Sequence, residues 1–150
     1  MKKILLAISF ITFISTQAIA SDGIITVKSA HSVKTTADRL VVMLEKKGMT
    51  VFIRINHTAG AKKVGKVLLP TEVVIFGNPK AGTPVMQCSQ NAAIDLPQKA
   101  LISENENGEV TLSYNDPKYI KKRHNIKGCD KVLNKISAIL STFAKGATSK

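Results

Sequence analysis

Aromatic residues make up only 5% of this chain, carboxylates are outnumbered, and long apolar runs are absent beyond the N-terminus. Each shortage removes something. Few aromatics and no recognised nucleic-acid motif leave base recognition without support, so no nucleic-acid partner is expected. There is no Gly-x-Ser-x-Gly, phosphate loop, dinucleotide fingerprint or His-Glu-x-x-His. Catalytic residues are therefore unassigned and no cofactor is expected. Only two cysteines are present, Cys88 and Cys129, and they lack the Cys-x-x-Cys spacing of a redox pair. His31, His57, His124, Met49, Met86 and Cys88 are the soft or imidazole donors. None stands at a recognised ligand spacing, so no metal site is expected.

What the chain does have is positive charge: 22 Lys and Arg against 10 Asp and Glu, a formal net charge of +12. The lysines are dispersed, with Lys46-Lys47, Lys62-Lys63 and Lys121-Lys122 in different segments. That pattern reads first as a solvated cationic surface and second as a face for peripheral contact with an anionic envelope. The N-terminus reads as an address. "MKK" is a basic start, "ILLAISFITFI" has the length of a secretory apolar region, and "STQAIA" ends in the small-x-small pattern cut by signal peptidase. The reading is a signal peptide over residues 1–20, cleavage after Ala20, and an exported, periplasmic chain from Ser21 to Lys150. The apolar run is short for a membrane span. Without Lys2 and Lys3 the mature chain keeps 20 basic and 10 acidic residues, +10, in one domain of ordinary size.

The pattern of residues predicts strand, helix, strand, short helix, strand, short helix, hairpin, helix, helix. "IITVKS" is strand-like. "TTADRLVVMLEKKG" carries Ala37, Leu40, Val41 and Leu44 at helical spacing, with Thr35 and Asp38 as a capping box. "TVFIRIN" alternates, placing Val51, Ile53 and Ile55 on one face. "HTAGAKKVGK" is a short helix weakened by glycine, and "TEVVIFG" a central strand. "GTPVMQCSQNAA" is a short helix or two turns. "QKALISE" and "EVTLSYN" flank Asn107-Gly108, the favoured pair of a type I′ hairpin turn. Asp116-Pro117 opens one helix, and Asp130 to Ala144 forms the last, with "KGATSK" frayed. The fold class is α+β: a single compact domain, its antiparallel or mixed sheet packed with helices.

Cys129 extends the inward face of the last helix, and Cys88, three residues after Val85, points inward by the same spacing. In an oxidising compartment a packed Cys88–Cys129 disulfide is the expected state, with Cα atoms within about 7 Å. Two buried thiols are the alternative. His57 directly follows a strand, where it either hydrogen-bonds the strand end or works as an acid–base; no neighbouring carboxylate tunes it. His124 reads as a surface residue, and Asp95 as a turn residue bonded to its own backbone. In "FGNPKAGTPVMQ", Pro79 extends Asn78, while Gly77 and Gly82 let the backbone approach another segment or a ligand.

The stretches "NHTAGAKKVGKVLLPTEVVIFGNPKAGTPVMQ", "AAIDLPQKALI" and "NGEVTLSYNDPKYI" together resemble the bacterial and archaeal family catalogued as domain of unknown function 302. The resemblance runs from about residue 25 to 143. It implies a compact α+β fold and pairing as a homodimer, and it supplies no biochemical activity. It draws attention to His57, Asn78, Thr83, Asp95 and Tyr114 as candidate binding residues. Many relatives carry Asp-His where this chain has Asn56-His57; Asn supplies no charge to raise a histidine's basicity, which weakens an acid–base mechanism. The leading expectation is a non-enzymatic module that binds a small ligand or a protein. The rivals are an enzyme using His57 with Asp95 or Tyr114, and a basic structural dimer at the anionic envelope.

Overall fold

The structure is a computed structural model that describes residues 19–21 and 23–150. The expected signal peptide lies outside the described residues, apart from Ile19 and Ala20. In chain order the elements are β1 (Ile19–Ser21), β2 (Ile24–Lys28), α1 (Val33–Lys46), β3 (Thr50–Asn56), α2 (His57–Lys63) and β4 (Thr71–Gly77). There follow α3 (Pro79–Cys88), a 3-10 turn (Gln90–Ile94), β5 (Gln98–Glu104), β6 (Val110–Asn115), α4 (Pro117–Arg123) and α5 (Asp130–Thr148). The fold is α+β, a single compact domain. The strands form one sheet in the order β1-β2-β6-β5-β4-β3, and every pairing is antiparallel, so the mixed alternative falls away.

Alternation decides which face of the sheet is covered. In β4, Glu72, Val74 and Phe76 are buried; in β5, Gln98, Ala100 and Ile102; in β6, Val110, Leu112 and Tyr114. Val74, Ala100 and Tyr114 are cross-strand neighbours. This face meets Ala37, Leu40 and Leu44 of α1 and Leu140, Phe143 and Ala144 of α5 in the main core. A smaller core gathers Val85 of α3, Ile120 of α4, Ile126, and Cys129 and Leu133 at the start of α5. On the opposite face Ile55, Val73 and Leu101 form a cross-strand row that no helix covers fully.

Several local expectations are corrected. α1 starts earlier than Thr35: Ser32 is its N-cap and accepts from the Thr35 N–H at 3.2 Å. Asp38 does not close a capping box but bonds Lys34 and Arg54. β3 does not keep one alternation, because the register shifts between Val51 and Ile53. The extra residue, Phe52, puts Val51 opposite buried Phe76 and sends Ile53 and Ile55 to the open face. The hairpin turn is not type I′. Gly108 has φ +74° but Asn107 does not share a positive φ. The Gly108 N–H bonds the Asn105 carbonyl at 3.0 Å, which is a type I turn followed by a left-handed glycine. The C-terminus is not frayed: α5 runs to Thr148, and Arg39 donates to the carbonyls of Gly146, Ala147 and Ser149.

Among the described residues, Glu72 is a buried carboxylate. Arg54 of β3 forks onto both carboxylate oxygens of Glu72 in β4, with Nη2 to Oε2 at 3.1 Å, and reaches Asp38 of α1 at 2.5 Å. The Glu72 side chain is 8% exposed. Hydrogen bonding to Glu72 holds the Arg54 guanidinium above its ordinary pKa, against the cost of burial. Lys34 first and then Arg54 hold the Asp38 carboxyl below its ordinary value.

Candidate functional site

Two of the proline bends meet at one end of the sheet. β4 ends at Gly77, and Asn78 caps α3: its Oδ1 accepts from the Lys80 N–H at 2.9 Å, and its Nδ2 donates to the Gly48 carbonyl at 3.0 Å. Pro79 fits the first turn of α3 because no amide donor is needed there. The partner bend is Leu96-Pro97, joined by a cis peptide bond, which leads directly into β5. A Cβ on Gly77 would stand 3.2 Å from Phe52 and 3.4 Å from Pro97, so this glycine serves a close approach between segments of the chain itself. Gly82 is looser: a Cβ there would meet only Leu96, at 4.0 Å.

Between these bends and α5 lies an apolar cavity of about 300 Å³, walled by Phe52, Met86, Leu96, Ile136 and Leu140, with Asn78 and Thr83 also in its lining. Gln98 is in the lining too. Gln98 is 7% exposed, and its Oε1 is the one buried side-chain oxygen or nitrogen among the described residues that has no hydrogen-bond partner. An unpaired buried amide oxygen is costly, about 1–3 kcal/mol. A second cavity of about 800 Å³ adjoins the first, and Met49, Asn78, Ala81, Ile136 and Ile139 line both.

The other candidate residues are placed elsewhere. His57 begins α2, is exposed, and forms no side-chain hydrogen bond among the described residues. It follows Asn56, which pairs with Glu72 at the start of β4, whereas the cleft lies beyond Gly77 at its end. That is about 20 Å along the strand. Tyr114 is buried in the main core, and burial first, then the Asp116 charge, push its phenol above its ordinary pKa. It therefore stays protonated near neutral pH and cannot accept a proton there. Asp95 is not a self-bonded turn residue. Its carboxylate takes His124 Nε2 at 2.5 Å and Arg123 at 3.2 Å, so His124, 8% exposed at its side chain, is not a surface residue. This pair ties the turn before β5 to the end of α4. The structure thus brings Asn78 and Thr83 together at the cleft and leaves His57, Asp95 and Tyr114 apart from it. Gln98 was missed because a glutamine at the start of a strand pattern carries no sequence signal of burial. Among the described residues, no cluster of three or more His, Cys, Asp or Glu is placed to hold a metal ion.

Cys88 and Cys129 are joined at a Cα–Cα distance of 6.5 Å, as expected. The packed character is only half met: Cys129 is buried among Val85, Ile126 and Leu133, whereas Cys88, the last residue of α3, is exposed.

Comparison with known proteins places these features. The family described as domain of unknown function DUF302 matches residues 25–143. A crystal structure of an uncharacterised conserved protein of that family from Bacillus stearothermophilus superposes with a TM-score of 0.75, covering 85% of this chain and 98% of that one at 19% identity. That likeness concerns the fold. Curated relatives in Brucella suis and Brucella abortus, each titled fluoride-specific ion channel FluC 1, are 44% identical over 109 residues. The match covers 73% of this chain but 43% and 40% of those proteins, so the chain spans less than half the length of the curated relatives it matches. Among the described residues no helix is long and apolar enough to cross a membrane.

Proposed function

The chain belongs to the DUF302 family, and from that premise we propose that it is a non-enzymatic binding module whose cleft takes a small, largely apolar ligand. The observation that carries this reading is Gln98: a buried amide oxygen without a partner, in the lining of an apolar cavity. Apolar walls with a few polar groups, here Asn78, Thr83 and Gln98, are the usual make-up of a ligand pocket. The enzyme alternative finds less support, since His57 stands at the far end of β4 and Tyr114 is held protonated in the core. Fluoride conduction is named for proteins more than twice the matched length, and we do not extend it to this chain.

We place the protein's work in the periplasm, on the strength of its N-terminal sequence. Native mass spectrometry of protein recovered from that compartment tests both parts of the reading. The expected result is a chain beginning at Ser21 that carries a small molecule, with Thr83→Trp losing the adduct. Thr83 is exposed, so the indole fills the mouth without disturbing the core. A retained Met1 would defeat export. An adduct-free protein, or an adduct indifferent to Thr83→Trp, would defeat the cleft.

A second reading concerns the partner. The open sheet face carries Ile55, Val73 and Leu101 in one row and Ile53 beside Ile75 in the next, with Ile53 50% and Leu101 37% exposed. Open faces of antiparallel sheets are ordinarily polar. A second copy packed here would give the homodimer, leaving its basic surface free to meet an anionic envelope. Leu101→Lys should turn the dimer into a monomer by sedimentation while leaving the fold unchanged. A parent protein that is monomeric at high concentration would end this reading.

A further inference from the structure

We propose that the ligand is an anionic amphiphile: an acyl-type chain in the apolar cavity, and a carboxylate or phosphate head held by lysines at the adjoining opening. The inference rests on the cleft reading above and adds the chemistry of the head.

The wider cavity supplies the argument. Its walls are apolar at Val132, Ile136, Ile139 and Phe143, yet its lining also holds Lys47, Lys80, Lys131 and Lys135 and not one Asp or Glu. These lysines come from three places in the chain: the C-cap of α1, the first turn of α3, and one face of α5. None of the four makes a side-chain ion pair or hydrogen bond among the described residues. Lys28, Lys34 and Lys121 elsewhere do find carboxylates. Four unpaired ammonium groups around one opening repel one another, and an anion relieves that repulsion. The head would be held by these side chains and not by the amides of α3, because the Lys80 N–H is taken by Asn78 Oδ1 and the Ala81 and Gly82 N–H groups by the Asn78 carbonyl. Ile136 and Ile139 line both cavities, so a single chain can pass from the charged opening to the compartment that holds Gln98. A purely apolar guest would leave the lysines unused. A small inorganic anion would leave the apolar compartment unused.

The test compares three probes with the same tail, dodecanoate, dodecanol and dodecyltrimethylammonium, titrated below their micelle concentrations into the full exported chain. Calorimetry reads affinity. Dodecanoate should bind about ten-fold tighter than dodecanol. The cation should bind weakest, and the advantage of the anion should shrink as salt rises. Lys80→Gln with Lys135→Gln should erase the advantage of dodecanoate and leave dodecanol unchanged. Equal affinity for dodecanoate and dodecanol would overturn the anionic head and leave the cleft standing. Failure of all three probes to bind would overturn the cleft along with it. Phosphatidylglycerol vesicles form a further arm. Binding to vesicles without binding to soluble dodecanoate would mean that the lysines meet a membrane surface, and would overturn the proposal.

Discussion

Arg54→Met is expected to cost about 3 kcal/mol of folding stability, the low end of the range for removing one partner of a buried ion pair. The reason is what it leaves behind. Glu72 lies in β4 with its side chain 8% exposed and has both oxygens on the Arg54 guanidinium. Methionine fills the volume of the arginine stem but strands that carboxylate. Asp38, the other partner, is more exposed and keeps Lys34 at 2.8 Å, so little of the loss arises there. Arg54→Met with Glu72→Leu should recover most of the loss, because an apolar pair replaces the charges with no group left unpaired. Urea unfolding of the two variants decides it: a single variant as stable as the parent, or a double variant no better than the single, would refute the account. The sign with pH follows from Asp38. Its pKa is lowered in the folded chain, so its share of stability is present above the ordinary carboxylate value and is lost as pH falls through the lower folded one. Lys34 is the larger cause of that lowering and stays in Arg54→Met, so parent and variant share most of this pH dependence and Asp38 should change the deficit little.

The same residues show where the sequence was legible. Apolar spacing located α1, α5 and the four strands β3 to β6, because each buries a regular stripe and periodicity reads stripes. It could not foresee Phe52. A bulge is a property of two strands in register, and β3 taken alone alternates well enough to place Ile53 beside Val51. The cap of α1 falls at Ser32 and not Thr35: Asp38, the expected capping-box partner, bonds instead to Lys34 one turn earlier on the same helix and to Arg54 of β3. The ending of α5 was invisible because its stabiliser, Arg39, lies on another helix. At the cleft, the two proline bends were visible as interruptions and Asn78 and Thr83 as candidates. Their convergence with Gln98 depends on β4 and β5 being neighbours, which a linear pattern does not encode. His124 was misjudged by composition: a histidine within a basic run reads as solvated until Asp95 is brought to it from 29 residues away.

Reduction of the Cys88–Cys129 bridge should lower stability by about 4 kcal/mol, the chain-entropy value for a closed loop of this length; the two residues are 41 apart. For a domain of this size that corresponds to a fall in melting temperature on the order of 10 °C. The loss should be felt at the cleft as well as globally. The bridge joins the last residue of α3 to the N-cap of α5, and those helices supply Thr83, Met86, Ile136 and Ile139 to the cavities. Freed from each other, the two walls depend on the small core of Val85, Ile120, Ile126 and Leu133 alone. Because Cys88 is exposed, a mild reductant should reach the bridge in the folded protein without prior unfolding. Thiol trapping in unfolded, unreduced protein should find no free thiol, and reductant should then release two. Cys88→Ser with Cys129→Ser should reproduce the loss of stability with no reductant present, which separates the bridge from any other effect of the reagent. Two thiols trapped before reduction would show the pair unbridged, and the cysteines would then count only as small apolar residues packed beside α5.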